Sequence, residues 1–244
     1  MEANIIKCYC MDVFKFQQFE IHQESCGMKV GTDGVLLGAW AAGGSNILDI
    51  GSGTGLISLM MAQRFPRAEI TAIDIDHEAY VQTCDNVTNS IYKDRINVIE
   101  TSLQHYVSFA GRHSFDCIVS NPPFFSDSLK NPDKKRCIAR HTATLPFFDL
   151  FRGVRELLSN DGIFSAIIPA DYLERFVSES YVSGLFVCHK LAIKTVPRKP
   201  VKRYLLSFSM QRPETCITCG VDIMKPDGKY SEWYMNLTDS FYMK

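Results

Sequence analysis

The residues with the clearest chemical meaning are Asn121, Pro122, Pro123 and Phe124, which directly follow the apolar run Phe115–Ser120. This order is typical of a strand that ends in a rigid turn, because proline fixes the backbone and removes a donor. The turn would bring an amide oxygen, the Pro122 carbonyl and an aromatic ring to one cleft. Two such acceptors can bind the hydrogens of a planar NH2 group and direct its nitrogen lone pair. We therefore predict a site for chemistry on an amino nitrogen.

A second candidate site lies upstream, where Leu-Asp-Ile-Gly-Ser-Gly-Thr-Gly joins a predicted strand to a helix. Gly51, Gly53 and Gly55 permit positive φ and close approach of a ligand, but they are more tightly spaced than the dinucleotide fingerprint. Asp49 precedes the loop and suits a cation better than a diphosphate. Asp74 ends the next predicted strand, where its carboxylate can bind ribose hydroxyls. These features predict an S-adenosylmethionine site, and the two sites together predict methyl transfer to nitrogen.

Composition limits the class of protein but names no partner. The 244 residues carry a formal net charge of −1 and are 46% hydrophobic, typical of a globular chain. The amino terminus lacks a signal-peptide pattern, and no apolar run approaches the ~20 residues of a membrane helix. We expect a cytoplasmic protein with reduced thiols, no membrane association and no obligate protein partner, as a monomer or weak dimer.

Two cysteine pairs raise the alternative of a zinc site. Cys8 with Cys10 and Cys216 with Cys219 would supply four thiolates if they met. Neither pair alone provides enough ligands. We therefore predict no metal.

Strand and helix patterns alternate from residue 46 onward, which is typical of a parallel sheet with helices on both faces. Strands are predicted at 47–50, 69–73, 96–99, 115–120 and 163–168. Helices are predicted at 35–42, 56–65, 77–90, 103–109, 146–158 and 171–183, and Asp171 would cap the last of them. Residues 160–162 would form a turn. The segments 185–194 and 204–210 predict a hairpin. The expected fold is α/β: a doubly wound, mostly parallel sheet of seven strands with a C-terminal antiparallel hairpin and a short N-terminal β extension. We predict one domain over 1–244, with additions at 1–42 and 211–244 around a core of 43–210.

Residues Asp49 to Gly55 together with Asp74 resemble the first two motifs of the class I S-adenosylmethionine-dependent methyltransferases. Members of that family usually carry an Asp beside the cofactor adenine at the start of the helix after strand three. Here the segment reads Glu-Thr-Ser-Leu, so the resemblance implies that Ser102 or a backbone amide serves instead. The turn at 121–124 is similar to the motif of enzymes that methylate adenine N6, guanine N2, cytosine N4 or a glutamine amide.

Two basic clusters flank the predicted cleft of this near-neutral chain and predict a phosphate track for RNA. One cluster follows the turn at 121–124 and consists of Lys134, Lys135, Arg136 and Arg140. The other lies in the predicted hairpin and consists of Arg198, Lys199, Lys202 and Arg203.

Beyond the general class, the chain resembles the tRNA1(Val) adenine-N6 methyltransferase family. The segments that carry the resemblance are 14–19, 28–40 with its Lys-Val-Gly-Thr-Asp-Gly, 121–125, 139–141, 197–206 and 237–242. It implies N6-methylation of adenine 37 of a tRNA, with Thr32 or Asp33 closing over the methionine end of the cofactor. The alternatives are a release-factor glutamine or rRNA guanine-N2 methyltransferase, or a binding module without catalysis.

Overall fold

The computed structural model describes residues 13–24, 29–124 and 145–243. The strands are β1 Val13–Lys15, β2 Glu20–His22, β3 Asn46–Ile50, β4 Glu69–Asp74, β5 Ile96–Glu100, β6 Phe115–Ser120, β7 Leu158–Pro169, β8 Phe186–Lys194, β9 Arg203–Ser209 and β10 Ile217–Asp222. The helices are α1 Thr32–Trp40, α2 Leu56–Arg64, α3 His77–Thr88, α4 Leu103–Phe109, α5 Phe147–Leu157, α6 Leu173–Val182 and α7 Glu232–Thr238, with short 3-10 turns at Lys93–Arg95 and Ala170–Tyr172. Within these ranges no helix has the length and apolar character needed to cross a membrane.

The central sheet has the strand order β10-β8-β9-β7-β6-β3-β4-β5, and β9 alone of its described strands runs antiparallel to its neighbours. The parallel strands therefore end at a common edge, which we call the carboxyl edge. Strand β3 pairs with β4 on one side and with β6 on the other. The chain reverses its direction of winding between β3 and β6, so a crevice opens there at the carboxyl edge, where open α/β sheets bind ligands.

Two apolar cores cover the two faces of the sheet. One packs α1 and α2 against β3 and β4, with Leu37, Met60 and Ile47 fully buried. The other packs α4, α5 and α6 against β6, β7 and β9, with Phe151 and Phe208 fully buried. Because helices cover both faces, the strands are apolar on both sides, as the sequence pattern indicated.

The α/β fold class is confirmed, but the predicted count of seven strands is wrong for the main sheet. Eight strands are described in it, because β10 adds in parallel to β8 at the outer side of the hairpin. The tail that was assigned to an addition after residue 210 thus extends the sheet itself. The division of the chain into one domain with two additions stays a prediction.

Two local predictions also differ from the structure. The turn at 160–162 lies inside the span of β7; Phe115 pairs with Leu158 and Cys117 with Ile163, so residues 159–162 bulge opposite Asp116. Asp171 lies in a 3-10 turn and does not cap α6, which begins after Tyr172 with no side-chain cap. Pairing of Leu158 and Ile163 with β6 on either side keeps residues 159–162 within the strand.

Asn86 of α3 ties the N-terminal strands to the loop after β3. Its side-chain oxygen accepts a hydrogen bond from the His22 amide at 2.8 Å, and its NH2 group donates to the carbonyls of His22 and Thr54, each at 2.8 Å. The residue is 1% exposed, so these hydrogen bonds lie away from bulk solvent. One buried amide thus fixes β2, α3 and the loop relative to one another.

We expect Asn86→Ala to lower the free energy of unfolding by about 3 kcal/mol. The His22 amide and the carbonyls of His22 and Thr54 would each lose a hydrogen-bond partner while buried. Denaturant unfolding measures the change. Asn89→Ala is the control, since Asn89 is exposed at the end of the same helix and bonds only the Asp85 carbonyl, at 2.9 Å. That control should cost less than about 0.5 kcal/mol. Equal losses in the two variants would contradict the bridging role.

Candidate active site

A cavity of about 910 Å³ occupies the crevice at the carboxyl edge, between the loop after β3 and the turn after β6. Its wall also includes the amino terminus of α1, the end of β4 and the start of α4. Of the residues predicted to bind cofactor or substrate, those on the wall are Thr32, Asp33, Gly51, Gly53, Asp74, Ser102, Asn121, Pro122, Pro123, Phe124 and Arg203. The structure therefore brings together two motifs that are far apart in sequence. Asp49 and Gly55 do not line it.

The three loop glycines all have positive φ, at +75°, +59° and +77° for Gly51, Gly53 and Gly55. A Cβ added at Gly51 or Gly53 would meet no atom within 4 Å, so both leave open space beside the cavity. At Gly55 a Cβ would lie 3.0 Å from Thr83 Cγ2. Thr83 Oγ1 in turn donates to the Gly53 carbonyl at 2.9 Å, so α3 holds the loop in place. Gly55 serves packing, and the other two form a cradle for a ligand.

Asp74 is held at the cavity by backbone amides. Its Oδ2 accepts from the Gly53 amide and its Oδ1 from the Asp76 amide, both at 2.9 Å. Burial raises the pKa of this carboxyl, while the two amides act in the opposite direction. Each oxygen retains a second lone pair, so the carboxylate can still accept hydrogen bonds from a pair of ligand hydroxyls.

Asp49 lies behind the glycine loop, with no exposed surface. Its Oδ2 accepts a hydrogen bond from Ser58 Oγ at 2.7 Å, and its Oδ1 has no hydrogen-bond partner among the described residues. Desolvation raises the pKa of Asp49 to about 7, and the charge of Asp74 acts in the same direction, against the Ser58 hydrogen bond. A cation bound in the cavity would favour the ionised form. Asp49 was predicted to bind the cofactor; the structure places it behind the glycine loop and off the cavity wall, and its role at the cofactor stays a prediction.

The start of α4 forms one side of the cavity. It holds the Glu-Thr-Ser-Leu segment, where the methyltransferases that the chain resembles usually carry an Asp. Ser102 caps α4, and its Oγ accepts from the His105 amide at 3.1 Å, which leaves the hydroxyl hydrogen to donate. Ile75 also lines the cavity and is 53% exposed, an apolar surface suited to a flat ring. Sequence reasoning missed Ile75; the signal was a large apolar residue directly after the carboxylate that ends β4.

The four residues of the turn after β6 differ in their exposure to solvent. Pro122 is buried and Pro123 exposed, while Asn121 and Phe124 are intermediate. The Phe124 ring packs 5.3 Å from the Tyr172 ring and 6.0 Å from that of Phe147, measured between centroids. These neighbours support Phe124 from the protein side, and the ring still lines the cavity. The arrangement can hold a flat, amino-bearing group against Phe124 with Asn121 beside it.

Arg203 differs from the other cations of the basic hairpin. Its Nε donates to Asp33 Oδ2 at 2.7 Å, its Nη1 donates to the Lys202 carbonyl at 3.0 Å, and it lines the cavity together with Asp33. The prediction that Arg203 belongs with a phosphate track overlooked this ion pair, because no acid lies near it in sequence. The pair joins the amino terminus of α1 to the start of β9. Arg198, Lys199 and Lys202 are exposed in the hairpin turn.

Several predicted residues lie outside the described ranges, namely Lys134, Lys135, Arg136, Arg140, Cys8 and Cys10. Cys216 and Cys219 are exposed. Within the described part of the chain, no group of three or more His, Cys, Asp or Glu side chains is arranged to hold a metal ion.

Comparison with known proteins agrees with this geometry. A family model described as Methyltransferase small domain matches residues 31–144. The tRNA1(Val) (adenine(37)-N6)-methyltransferase of Phocaeicola vulgatus is 48% identical over 232 residues, covering 94% of this chain and 97% of that protein. The protein of the same name from Bacteroides thetaiotaomicron is 42% identical over 233 residues, with coverage of 94% and 97%.

Solved structures share the fold at low identity. A predicted O-methyltransferase from Agrobacterium tumefaciens has a TM-score of 0.66 at 17% identity, covering 86% of this chain and 96% of that one. P. horikoshii TYW2 in complex with MeSAdo has a TM-score of 0.56 at 14% identity, covering 80% and 69%. These likenesses concern the fold alone.

The raised pKa of Asp49 gives the free energy of unfolding a defined pH dependence. Between the ordinary value of 3.8 and about 7, the unfolded chain has released this proton and the folded chain keeps it. Stability should therefore fall as pH rises through this window, by up to about 1.4 kcal/mol per pH unit. Asp49→Asn removes this contribution, so the gap between variant and parent should widen in favour of the variant from pH 4.5 to 7. Denaturant unfolding across this range measures it. Parallel pH profiles for the two proteins would refute the assignment.

Proposed function

This chain belongs to the family of tRNA1(Val) (adenine(37)-N6)-methyltransferases, and from this premise we propose that it transfers a methyl group from S-adenosylmethionine to the exocyclic N6 of adenine 37 in a tRNA. The observation that carries the proposal is that the glycine loop and the Asn121–Phe124 turn meet at one cavity. Each relative bears that activity in its name.

The cavity residues fit the cofactor by their chemistry. Gly51 and Gly53 leave the space that a ligand backbone would fill, and Asp74 offers acceptors for ribose hydroxyls. Thr32 would lie at the methionine end, and Ser102 with Ile75 at the adenine end. Asp49 would stabilise a cationic ligand from behind the loop. S-adenosylmethionine, when bound, supplies an electrophilic methyl group.

The substrate amino group needs orientation more than a strong base. The N6 lone pair of adenine is delocalised into the ring, so the nitrogen is a weak nucleophile. Two acceptors, the Asn121 side-chain oxygen and the Pro122 carbonyl, would hold its hydrogens and favour a pyramidal nitrogen. Phe124, supported by Tyr172 and Phe147, would stack on the base. The methylated nitrogen is strongly acidic and loses its proton to solvent.

The adenine must leave its stack to reach this turn, which costs least in a loop of RNA. The exposed cations Arg198, Lys199 and Lys202 would bind phosphates beside the cavity, while Arg203 with Asp33 shapes its wall. The register of Pro169 opposite Arg203 brings the hairpin turn to this edge. Lys134, Lys135, Arg136 and Arg140 keep their predicted RNA-binding role as part of the proposal. We further propose cytoplasmic action as a monomer or weak dimer.

The test of the proposal is mass spectrometry of nucleosides from unmodified tRNA incubated with the full chain and isotope-labelled S-adenosylmethionine. We expect labelled N6-methyladenosine at position 37. Label in guanine or cytosine, or transfer to a release-factor glutamine instead, would replace the proposal by a rival within the amino-methylating class. No transfer to any of these acceptors would reject it.

Asn121→Ala should lower kcat by at least about a hundredfold, because one of two preorganised acceptors is lost in the transition state. The dissociation constant for S-adenosylmethionine should change by less than about twofold. Single-turnover methylation and isothermal titration calorimetry measure the two effects, and thermal unfolding verifies the fold. Turnover close to that of the parent protein would remove Asn121 from the mechanism.

Changing Arg198, Lys199 and Lys202 together to Ala should weaken tRNA binding and lower the slope of log K against log salt by about 2 to 3. Fluorescence anisotropy across a salt series measures both. The matched control changes Arg67, Lys93 and Arg112, three exposed cations that precede β4, β5 and β6 and so lie at the opposite sheet edge. If both triple variants lower the slope equally, the hairpin is not the phosphate-binding surface.

A further inference from the structure

The turn between β10 and α7, residues Met224 to Tyr230, lies beside the basic hairpin. The Ile223 amide donates to the Lys194 carbonyl and the Met224 amide to the Thr195 carbonyl, both at 2.9 Å. Because β10 runs parallel to β8, this turn leaves the sheet at the carboxyl edge, as the hairpin does. Nothing in the cavity or in the proposed chemistry uses it.

Hydrogen bonds give this turn a fixed shape. An isolated bridge pairs Met224 with Tyr230, and the Lys225 amide donates to the Lys229 carbonyl at 2.7 Å. Gly228 adopts φ +84°, which the reversal of direction requires. Ser231 anchors the base of the turn, with its Oγ donating to the Asp222 carbonyl at 2.6 Å. These bonds fix the path of the backbone through the turn.

Two side chains of the turn suit a nucleic acid. Tyr230 is 51% exposed, and its ring packs 4.8 Å from that of buried Tyr234 at an interplanar angle of 31°, so the protein covers one face. Lys229 is exposed and forms no ion pair within 4 Å among the described residues. Two acids lie nearby: Asp227, whose Oδ1 accepts from the Lys229 amide at 3.0 Å, and Glu232, which pairs with Lys225 at 3.5 Å.

The strand order sets the distance from this turn to the reacting base. From Asn121 at the end of β6, the carboxyl edge passes β7, β9 and β8 before it reaches β10. Four strand spacings of about 4.8 Å place the turn roughly 19 Å from Asn121. The exposed cations of the hairpin lie between them. One line of groups therefore runs from the catalytic turn across the basic hairpin to an exposed aromatic ring.

We propose that Tyr230 and Lys229 form the distal contact for the tRNA, the ring stacking on an unpaired base or a ribose and the ammonium binding a phosphate. This inference rests on the proposed function and extends its substrate surface. Exposed aromatic rings beside cations are the usual means of holding unpaired RNA. A protein partner would be expected to bury a wider apolar surface than one ring.

The experiment measures binding of unmodified tRNA to the full chain by fluorescence anisotropy over a salt series. Tyr230→Ala should weaken binding by about tenfold with an unchanged salt slope, since stacking is not ionic. Tyr230→Phe should bind within twofold of the parent. Lys229→Gln should lower the salt slope by about 0.7 to 0.9. For all three variants, kcat at saturating tRNA should stay unchanged.

Tyr181→Ala is the matched control. Tyr181 is 47% exposed, its ring packs 5.6 Å from that of Phe186, and it precedes β8 at the opposite edge of the sheet. Binding by Tyr230→Ala equal to that of the parent or of this control would overturn the inference. If Tyr230→Ala fails to fold, the Lys229→Gln salt slope decides, and an unchanged slope rejects the contact. A dimer that Tyr230→Ala dissociates, with tRNA binding intact, would also reject it.

These outcomes differ from a failure of the proposed function. Should the parent protein methylate adenine 37 while the Tyr230 and Lys229 variants bind tRNA normally, only the distal contact is wrong. Should the parent methylate no tRNA, the function itself is wrong.

Discussion

The pairing of β3 with both β4 and β6 is the constraint on which the site depends. It sets the ends of two strands that are seventy residues apart in sequence about one strand spacing apart in space. The loop after β3 holds the open glycine cradle, and the turn after β6 holds the amide, the prolines and the ring. Neither loop forms a cavity alone. Their chemistry is joined because the sheet reverses its winding direction between them.

The second constraint is electrostatic and follows from the first. The loops at the crevice bury Asp49 completely and Asp74 in large part. Desolvation therefore raises the pKa of both carboxyls. Ser58 and the amides of Gly53 and Asp76 offset part of that cost. A cation placed in this cavity would favour the ionised form of both carboxyls.

Elements whose ends are marked by capping residues or prolines were well predicted from the local sequence. Helix α4 and strand β6 have the predicted bounds, because a capping Ser102 and the prolines after Ser120 mark their ends. Contacts between distant segments were not predictable. The ion pair between Asp33 and Arg203 joins residues 170 positions apart. The tail after residue 211 was predicted to hold a last strand, but local sequence did not indicate its parallel pairing with β8. The burial of Asp49 behind the loop was not predictable either, since it depends on how α2 covers this residue.

The reversal of one strand explains how the basic hairpin reaches a cavity that is built from parallel strands. Because β9 runs antiparallel, the turn that joins it to β8 returns to the carboxyl edge. A right-handed helical crossover at that position would carry the chain to the opposite edge before returning. The hairpin thus brings its cations beside the cavity, and its first residue, Arg203, reaches α1 through Asp33. Strand β10 then extends the same edge outward. Strands β3 to β7 thus form the parallel part of the sheet, while the antiparallel β9 and its neighbour β8 carry the basic hairpin to the cavity.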